Sequence, residues 1–509
     1  MQFCKIADIT DWQDPEFQET AKLLYCGGKD RKAWEFIQVY RGLNQLGLLN
    51  GETQILGLGV GHECLIYAFT NVCRQVIATD LYESQEWATA AMAVNDVYER
   101  NPFPYQRDRL TVKHMDMTQI AFPDNSVDAI WSCCAVEHVN NFRDLHRVYR
   151  EIHRVLKPGG VAALTTEFNV TDRPSYEPNL LFTDRVWIEQ WLTGDNPLVQ
   201  GFELLDQPNF AIADRPENQP VPRRQPEGTI QIYCNDIVLN SISFFLRKTG
   251  DFARPYDESW LPRFWSLYLS ACDAYRDGNF ARAESLLSEL LQTPLEPRLR
   301  VRVYRRLADA LYAQGNVDQV RQVCKEALPD CETFQDEDQL MPLATYCELV
   351  GLPDEAHTLY RTVEQLPSSN AYVVIDSRLK QAAYYEAQGD FETALDWVGK
   401  AEQELLPGSD LEIKYKPKVY FRTGFLYEKM GKLGSAVRFY KLAIELAPPH
   451  SEFQTNCYRR LTETLQKQVK RSKEKVRELE ALNQWMQGSK FWKLRSQMLA
   501  LKSLWRRRD

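Results

Sequence analysis

The stretch Thr53–Glu63, TQILGLGVGHE, decides the fold of the first half of this chain. A short apolar run ends in glycines at 57, 59 and 61, and a helical pattern follows. A strand that feeds a glycine-rich turn into a helix N-terminus lets a ligand lie against bare backbone, because a side chain there would block the approach. The stretch therefore predicts a nucleotide-like ligand.

Around this stretch, short apolar runs alternate with longer segments of helical periodicity. Strands are predicted at 54–58, 74–79, 110–115, 126–133 and 161–166, with helices at 33–48, 61–70, 84–100 and 145–156. Two later runs, 229–235 and 241–247, are expected to pair as an antiparallel hairpin. This alternation predicts an α/β domain with a mostly parallel seven-stranded sheet, whose ligand lies at the C-terminal strand ends.

Composition limits the classes of function. The chain has 509 residues and a formal net charge of -9, which gives no support to a nucleic-acid-binding surface across the whole molecule. Its twelve cysteines include no CxxC pair, so no structural zinc site and no other metal site is expected. Reduced thiols, the absence of a secretory signal at the start and the absence of a long apolar run predict a cytoplasmic protein.

The glycine pattern discriminates between cofactors. A dinucleotide-binding turn needs G-x-G-x-x-G, but the third position is His62 counted from Gly57 and Cys64 counted from Gly59. A nicotinamide oxidoreductase is therefore disfavoured. Asp80 ends the second predicted strand, where a carboxylate can accept both hydroxyls of a ribose.

Residues 53–166 resemble the class I S-adenosylmethionine-dependent methyltransferases, and in particular the type 11 subgroup. The resemblance is carried by the glycine turn, by the acids at 80 and 116, and by the segments at 122–139 and 150–160, the latter ending in LKPGG. The family motif usually begins with an acid and ends with a glycine, whereas this chain has Gly57 and Glu63 at those positions. The resemblance implies a Rossmann-like methyltransferase domain that uses S-adenosylmethionine.

The same resemblance implies which residues form the site. The cofactor-binding positions are Gly57, Gly59, Gly61, Glu63, Asp80, Leu81, Asp116, Met117 and Cys133. Asp80 is expected at the ribose, and Asp116 and Met117 at the adenine. Glu137 and His138 follow the fourth strand, where the sulfonium methyl should lie, and are the candidate catalytic residues. His138 is a candidate general base because imidazole titrates near neutral pH; packing or a cofactor contact is the other interpretation.

The second half has a different period. Glycines recur at 278, 315, 351, 389 and 431, and small residues stand seven positions before four of them, at Ala271, Ala308, Ala382 and Gly424. Small residues let paired helices approach and glycine turns the chain between them, so the pattern resembles tetratricopeptide repeats. A generic helical domain is the alternative. Repeats of this kind would present a binding surface for a protein partner or for the methyl acceptor.

The last segment is basic. Apolar residues at heptad-like spacing over 459–487 predict a short coiled coil or a capping helix. SKFWKLRSQMLALKSLWRRR, residues 489–508, holds seven cations and no acids, with Leu494, Met498, Leu501 and Trp505 on one helical face. Such a helix either lies on an anionic membrane surface or docks on the repeats. SKFWKLR also resembles the tails of many bacterial enzymes that build or decorate surface polysaccharides.

These observations predict a three-part bacterial protein. Residues 1–250 form the methyltransferase domain, 251–455 the helical repeats and 456–509 the basic tail. The expected function is methyl transfer by in-line displacement to an acceptor such as a sugar or glycan hydroxyl, with a protein or a small metabolite as alternatives. The rival is a catalytically inactive scaffold of the same fold, which the departures at Gly57 and Glu63 favour.

Overall fold

A computed structural model describes residues 1–83, 93–222, 228–334, 336–367 and 369–505, with side chains up to residue 500. The chain forms two compact units, Met1–Ala371 and Tyr372–Asp509. The predicted helix at 84–100 falls largely outside the described residues. Within the described ranges, no helix combines the length and apolar character that a membrane crossing needs.

The first unit is organised around one large sheet. Its strands follow the chain in the order β1 (Lys5–Ile6), β2 (Gln54–Leu58), β3 (Gln75–Asp80), β4 (Leu110–His114), β5 (Val127–Cys133), β6 (Leu156–Asn169), β9 (Phe202–Leu204), β10 (Ile232–Cys234) and β11 (Ile237–Lys248). Two further strands, β7 (Tyr176–Glu177) and β8 (Leu180–Leu181), form a small hairpin of their own.

The sheet is mostly parallel, as the sequence predicted. Its main path is β1-β11-β6-β5-β2-β3-β4, and β9 and β10 also pair with β11. The pairs among β6, β5, β2, β3 and β4 are parallel, whereas β11 runs antiparallel to β6 and forms the expected hairpin with β10. The strand order reverses at β2, which lies between β5 and β3, so the switch point falls beside the glycine turn.

Helices accompany the strands in the first half of the chain. They are α1 (Pro15–Leu23), α2 (Arg31–Gln45), α3 (Cys64–Thr70), α4 (Val94–Glu99), α5 (Phe142–Val155) and α6 (Arg185–Ile188). Helix α5 begins where the Asn141 side chain accepts a hydrogen bond from the Asp144 N–H, which satisfies a donor that the first turn leaves unpaired. The LKPGG segment lies within β6 rather than capping α5, so that strand begins earlier than the predicted 161–166.

Ten helices, α7 to α16, form five consecutive pairs in the described chain. They are α7 (Arg263–Arg276), α8 (Phe280–Leu291), α9 (Pro297–Ala313), α10 (Val317–Cys331), α11 (Glu337–Leu349), α12 (Pro353–Gln365), α13 (Ala371–Ala387), α14 (Phe391–Gln403), α15 (Asp410–Lys429) and α16 (Leu433–Leu446). The five periodic glycines lie between the partners of each pair with φ between +73° and +81°. Glycine adopts this left-handed conformation without the penalty that a Cβ brings.

The small residues before those glycines are buried, as the repeat pattern predicted. Ala271, Ala308 and Ala382 are at most 1% exposed. At Gly424 a Cβ would approach the Tyr440 ring to 3.0 Å. Close approach of the paired helices therefore depends on small side chains at these positions.

Within the first unit, a buried ionic cluster joins the repeats to the sheet domain. Arg302 on α9 is fully buried and pairs with Glu177 at 2.6 Å, Asp236 at 2.9 Å and Asp336 at 2.9 Å. Arg306, one turn further, pairs with the second oxygen of Glu177 at 2.9 Å. Buried charges need partners of opposite sign, so α9 and the segments carrying Glu177 and Asp236 are fixed to one another. The predicted boundary between domains at residues 250 and 251 stays a prediction.

Two helices end the second unit. Helix α17 (Glu452–Gly488) contacts α16 through its first part, and α18 (Lys490–Trp505) follows it. The basic segment is thus helical from Lys490 to Trp505. Leu494 and Met498 are exposed, while the side chains of Leu501 and Trp505 lie outside the described residues.

Candidate cofactor-binding and active site

The candidate site lies at the C-terminal ends of β2, β3 and β5, beside the switch point of the sheet. The turn after β2 carries Gly59 with φ +63° and Gly61 with φ +46°. A Cβ on Gly59 would lie 2.5 Å from the Ala135 Cβ and 3.2 Å from the Met117 Cε. Glycine is therefore required there by conformation and by space, and the turn is brought against the segments that follow β4 and β5.

Gly57 is required for a different reason. A Cβ at this position would lie 2.4 Å from the Trp131 ring and 2.6 Å from the Val60 side chain, so the indole fills the space that a side chain would need. Trp131 is fully buried on the neighbouring strand β5. A side chain at position 57 would force the Trp131 indole or Val60 to move, so glycine at 57 and tryptophan at 131 fit together.

Trp131 also contacts Glu63, the second position at which this chain departs from the family pattern. Its indole Nε1 donates a hydrogen bond to Glu63 Oε2 at 3.2 Å. The Glu63 side chain is partly exposed, but loss of water around its carboxyl raises the pKa of that group to about 8. Lys32 and the hydrogen bond from Trp131 act in the opposite direction and lower this pKa. One carboxyl group therefore lies beside the glycine turn even though position 57 has none.

The first turn of α2 supplies charged groups that the sequence did not reveal. Lys32 Nζ donates to Glu35 Oε2 at 2.8 Å and to the backbone carbonyl of Cys133 at 2.9 Å. Arg31 Nη2 donates to Glu167 Oε1 at 2.9 Å. Adjacent cations with an acid three and four residues later are a common surface pattern. Nothing in that pattern shows that the acid is fully buried or that the partners lie more than a hundred residues away.

Asp80 ends β3 and points toward the glycine turn. Its Oδ2 accepts from the Gly61 N–H at 2.8 Å, and its Oδ1 accepts from the Leu81 N–H at 2.7 Å. Burial raises the pKa of the Asp80 carboxyl, and the two N–H donors act against that rise. A carboxylate has about four acceptor sites, so two remain for the hydroxyls of a ribose. Bare backbone beside a carboxylate with spare acceptors fits a nucleoside.

The two predicted adenine residues lie in different surroundings. Met117 is partly buried and close to Gly59, as its distance from a Cβ there shows. Asp116 is exposed, and its Oδ1 accepts from the Thr118 N–H at 2.8 Å, the geometry of a local turn. The structure thus brings Met117 to the glycine turn, and the adenine contact of Asp116 stays a prediction.

Cys133 ends β5 and Cys134 follows it. The Cys133 side chain is 2% exposed and burial raises its thiol pKa well above the ordinary value, so the thiol stays protonated. Its backbone carbonyl accepts a hydrogen bond from Lys32. Cys134 has φ +51°, an uncommon conformation for a residue with a Cβ, and turns the chain away from the strand.

Glu137 is buried in the loop that follows β5. Its Oε1 accepts from the Glu167 N–H at 2.8 Å, and its Oε2 has no hydrogen-bond partner among the described residues. Burial raises its carboxyl pKa, against the influence of His138. The contact with Glu167 joins the loop after β5 to β6, so Glu137 positions the loop that carries His138.

His138 is partly exposed and held in one orientation. Its Nδ1 lies 2.7 Å from the carbonyl oxygen of Asn179. Because a carbonyl only accepts, Nδ1 carries the proton of that bond, and in the neutral imidazole Nε2 then has the lone pair. This tautomer is the one that a general base acting through Nε2 requires.

Glu137, His138 and Glu167 also meet the distance requirement for a shared ion. One ligating atom from each lies within 4.8 Å of the others. Arg31 already pairs with Glu167 in this arrangement. The expectation that the protein holds no metal stays untested.

Comparison with known families agrees with this geometry. A family model described as a methyltransferase domain matches residues 56–164, which contain the glycine turn, Asp80 and His138. Two tetratricopeptide-repeat models match residues 268–333 and 417–450, which cover most of the first two helical pairs and most of the fifth. The range matched by the methyltransferase model includes Gly57, Gly59, Gly61 and Asp80.

Individual relatives match part of the chain. A sterol 24-C-methyltransferase of Aspergillus fumigatus is 38% identical over 116 residues, covering 21% of this chain and 29% of the relative. A second one, from Gibberella zeae, is 34% identical over 119 residues, covering 21% and 30%. This chain therefore spans less than a third of the length of these curated relatives. Among solved structures, a putative sarcosine dimethylglycine methyltransferase from Galdieria sulphuraria is 16% identical, covers 43% of this chain and 87% of that chain, and has a TM-score of 0.29.

The chain thus contains a class I methyltransferase domain, with S-adenosylmethionine as its cofactor, followed by tetratricopeptide repeats. The contributions of individual site residues, including His138 and Glu137 as catalytic groups, stay predictions.

Proposed function

We propose that this protein transfers a methyl group from S-adenosylmethionine to an acceptor hydroxyl, with a sugar or glycan as the acceptor. The observation that carries the proposal is the Asp80 carboxylate, which contacts the bare backbone of Gly61 at the switch point of the sheet. That pairing of a strand-end acid with a glycine turn suits a nucleoside cofactor.

Several side chains would hold the cofactor. Asp80 would accept the ribose hydroxyls, and Met117 would pack beside the adenine with Asp116 near its amino group. Glu63 would pair with the ammonium of the methionine portion, in place of the acid that position 57 lacks. Gly59 and Gly61 would let the cofactor lie against the backbone.

When bound, the cofactor supplies a methyl group on a positively charged sulfur, already activated for transfer. The protein must align the acceptor with the methyl and exclude water. During transfer an O–C bond would form on the acceptor as the S–C bond breaks, and the sulfur would leave as a neutral thioether. The acceptor hydroxyl would give its proton to Nε2 of His138. The hydrogen bond from Nδ1 to the Asn179 carbonyl holds the ring in the required tautomer.

The remaining parts of the chain would serve recognition. The repeats offer a surface for a protein partner or for the acceptor, as stacked helical pairs commonly do. Helix α18, with its cations and exposed Phe491, Leu494 and Met498, would contact an anionic membrane surface from the cytoplasm of a bacterium. The sterol acceptors named for the relatives are not proposed for this chain, since each match covers 21% of this chain and less than a third of the relative.

The rival is a scaffold that has the fold without catalysis, and the replacements at Gly57 and Glu63 favour it. Titration calorimetry with S-adenosylmethionine and its demethylated product separates the two. We expect binding that Asp80→Ala weakens by about 1–3 kcal/mol, the value of one or two hydrogen bonds. Asp108→Ala, an exposed acid elsewhere in the same domain, is the matched control and should leave the affinity unchanged.

Absence of binding at millimolar cofactor would reject the enzyme and leave the scaffold. If binding is found, incubation with a labelled methyl donor and extracted surface glycans tests the acceptor, and label in protein or in a small metabolite would exclude the glycan. For the tail, a chain truncated after residue 488 should no longer sediment with anionic vesicles. Equal sedimentation of the full and truncated chains would remove the membrane contact.

A further inference from the structure

Helix α17 carries a continuous stripe at heptad spacing. Successive residues of the stripe are separated by four and three residues in strict alternation. This is the spacing of the a and d positions of a coiled coil. The stripe consists of Tyr458, Thr462, Leu465, Val469, Ser472, Val476, Leu479, Asn483 and Met486. It extends over about 42 Å of helix, at about 1.5 Å per residue.

The stripe faces away from the repeats that hold the helix. Contacts with α15 and α16 are made by Thr464, which is fully buried, and by Lys467 and Arg471, which bond to Glu428 at 2.6 Å and to the Gly431 carbonyl at 2.8 Å. At about 100° per residue, these side chains lie roughly 100° to 160° around the helix from the stripe. The apolar stripe members are consequently left open, even along the half of α17 that packs on the repeats.

The exposure of the stripe is unusual for its composition. Val469, Val476 and Leu479 are 53%, 52% and 53% exposed. Apolar side chains in a regular row along an otherwise charged helix indicate a surface that another helix covers.

We propose that α17 pairs with α17 of a second copy of this chain as a parallel two-stranded coiled coil over residues 458–486. β-Branched residues occupy a positions, at Thr462, Val469 and Val476, and leucines occupy d positions, at Leu465 and Leu479. This distribution favours a coiled coil of two helices over one of three or four. The inference concerns assembly and does not depend on methyl transfer.

Asn483 sets the orientation. It occupies an a position within the stripe. In a parallel, in-register pair it meets its own copy, and the two amides hydrogen-bond to each other. In an antiparallel pair centred on the stripe, Asn483 faces Tyr458 or Leu465 instead of a second amide, so the two amides cannot hydrogen-bond to each other, which is unfavourable.

The flanking charges agree with the same orientation. Lys475 occupies a g position and Glu480 the e position five residues later. In a parallel dimer, g of one helix lies beside the following e of its partner, so each Lys475 meets a Glu480 of the other copy, twice per dimer. Within one chain Lys475 pairs with Glu478 at 3.0 Å, but both side chains are 68% exposed and such a pair contributes little.

Sedimentation equilibrium on the full chain tests the proposal. The chain should sediment at twice its monomer mass at micromolar concentration. Val476→Glu should weaken the dimer by about a hundredfold or more, because it places an unpaired charge in the seam. Trp485→Glu, which removes a 72% exposed apolar side chain outside the stripe, is the matched control and should leave the dimer intact.

A charge exchange distinguishes a specific pair from general loss of stability. Lys475→Glu alone should weaken the dimer through repulsion from Glu480, and adding Glu480→Lys should restore it. Asn483→Cys should form an intermolecular disulfide under mild oxidation that the unaltered chain does not form, since only a parallel pair brings the two positions together.

Four outcomes would overturn the proposal. They are a monomer at all accessible concentrations, an equal effect of Val476→Glu and Trp485→Glu, failure of the double charge exchange to restore the dimer, and a trimer or antiparallel pair. A monomer in which the stripe is protected from solvent exchange would show that another segment of the same chain covers it, which also excludes the dimer.

Discussion

Replacement of Glu63 by glutamine tests how this protein compensates for glycine at position 57. The substitution keeps the size of the side chain and an oxygen that can accept from Trp131, but it removes the carboxylate. If Glu63 pairs with the cofactor ammonium, the variant loses a charged hydrogen bond, worth about 1.5–3 kcal/mol. The dissociation constant at pH 8 should then rise by about 10- to 150-fold.

The pH dependence follows from the raised pKa. With a pKa of about 8 in the free protein, the Glu63 carboxyl is mostly protonated at pH 7 and must ionise to pair with a cation. Binding near pH 7 should therefore release close to one proton, and the affinity should increase as pH rises from 6 toward 8. The Glu63→Gln variant should show neither effect.

The same shift has a consequence for stability. An acid whose pKa is higher in the folded state stabilises the fold at low pH, and that contribution is lost as pH rises from about 4.5 to 8. At about 1.4 kcal/mol per unit the upper limit is near 5 kcal/mol, which partial exposure reduces to roughly 2 kcal/mol. Glu63→Gln should thus become more stable than the natural chain as pH increases through this range.

Calorimetric titration in buffers of different ionisation enthalpy measures the affinity and the released proton together, and urea unfolding at pH 5 and pH 8.5 measures the stability. Glu52→Gln, an exposed acid before β2, is the matched control and should change neither quantity. Equal proton release by the natural chain and Glu63→Gln, with equal affinity, would show that this carboxyl does not contact the cofactor.

Three further outcomes are expected. Gly57→Ala should lower the free energy of unfolding by about 1–3 kcal/mol because the added Cβ would contact the Trp131 ring. Combining it with Trp131→Leu should reduce that cost, and strictly additive effects of the two substitutions in urea unfolding would contradict the contact. Arg302→Met should cost about 3–5 kcal/mol in the same assay by leaving buried carboxylates unpaired, and an unchanged midpoint would refute the role of the cluster. Gly389→Ala should destabilise the second unit by roughly 1 kcal/mol because φ there is +81°, whereas Gly399→Ala inside α14 should stabilise it; melting curves that shift in the same direction would contradict this distinction.

Local features of the site could be predicted from the sequence. Gly59, Gly61 and Asp80 follow directly from the strand-turn-helix pattern, because the ends of parallel strands meet at one edge of a sheet. Asp116 was predicted by resemblance, and the structure shows it only as an exposed turn residue. The group formed by Lys32, Glu63 and the Cys133 carbonyl could not be predicted, since its members are far apart in sequence and have ordinary neighbours.

The sequence by itself determined the alternating strands and helices, the glycine turn and the period of the helical repeats. These depend on short-range causes: hydrophobic periodicity, backbone freedom at glycine and small residues where helices meet. Only the tertiary structure decided why Gly57 and Glu63 depart from the family pattern together. One buried indole, Trp131, excludes a side chain at the first position and donates to the carboxyl at the second. Trp131 can act on both positions because the fold packs strand β5 beside the glycine turn. The spacing of residues 57, 63 and 131 along the sequence does not show that they are neighbours in space.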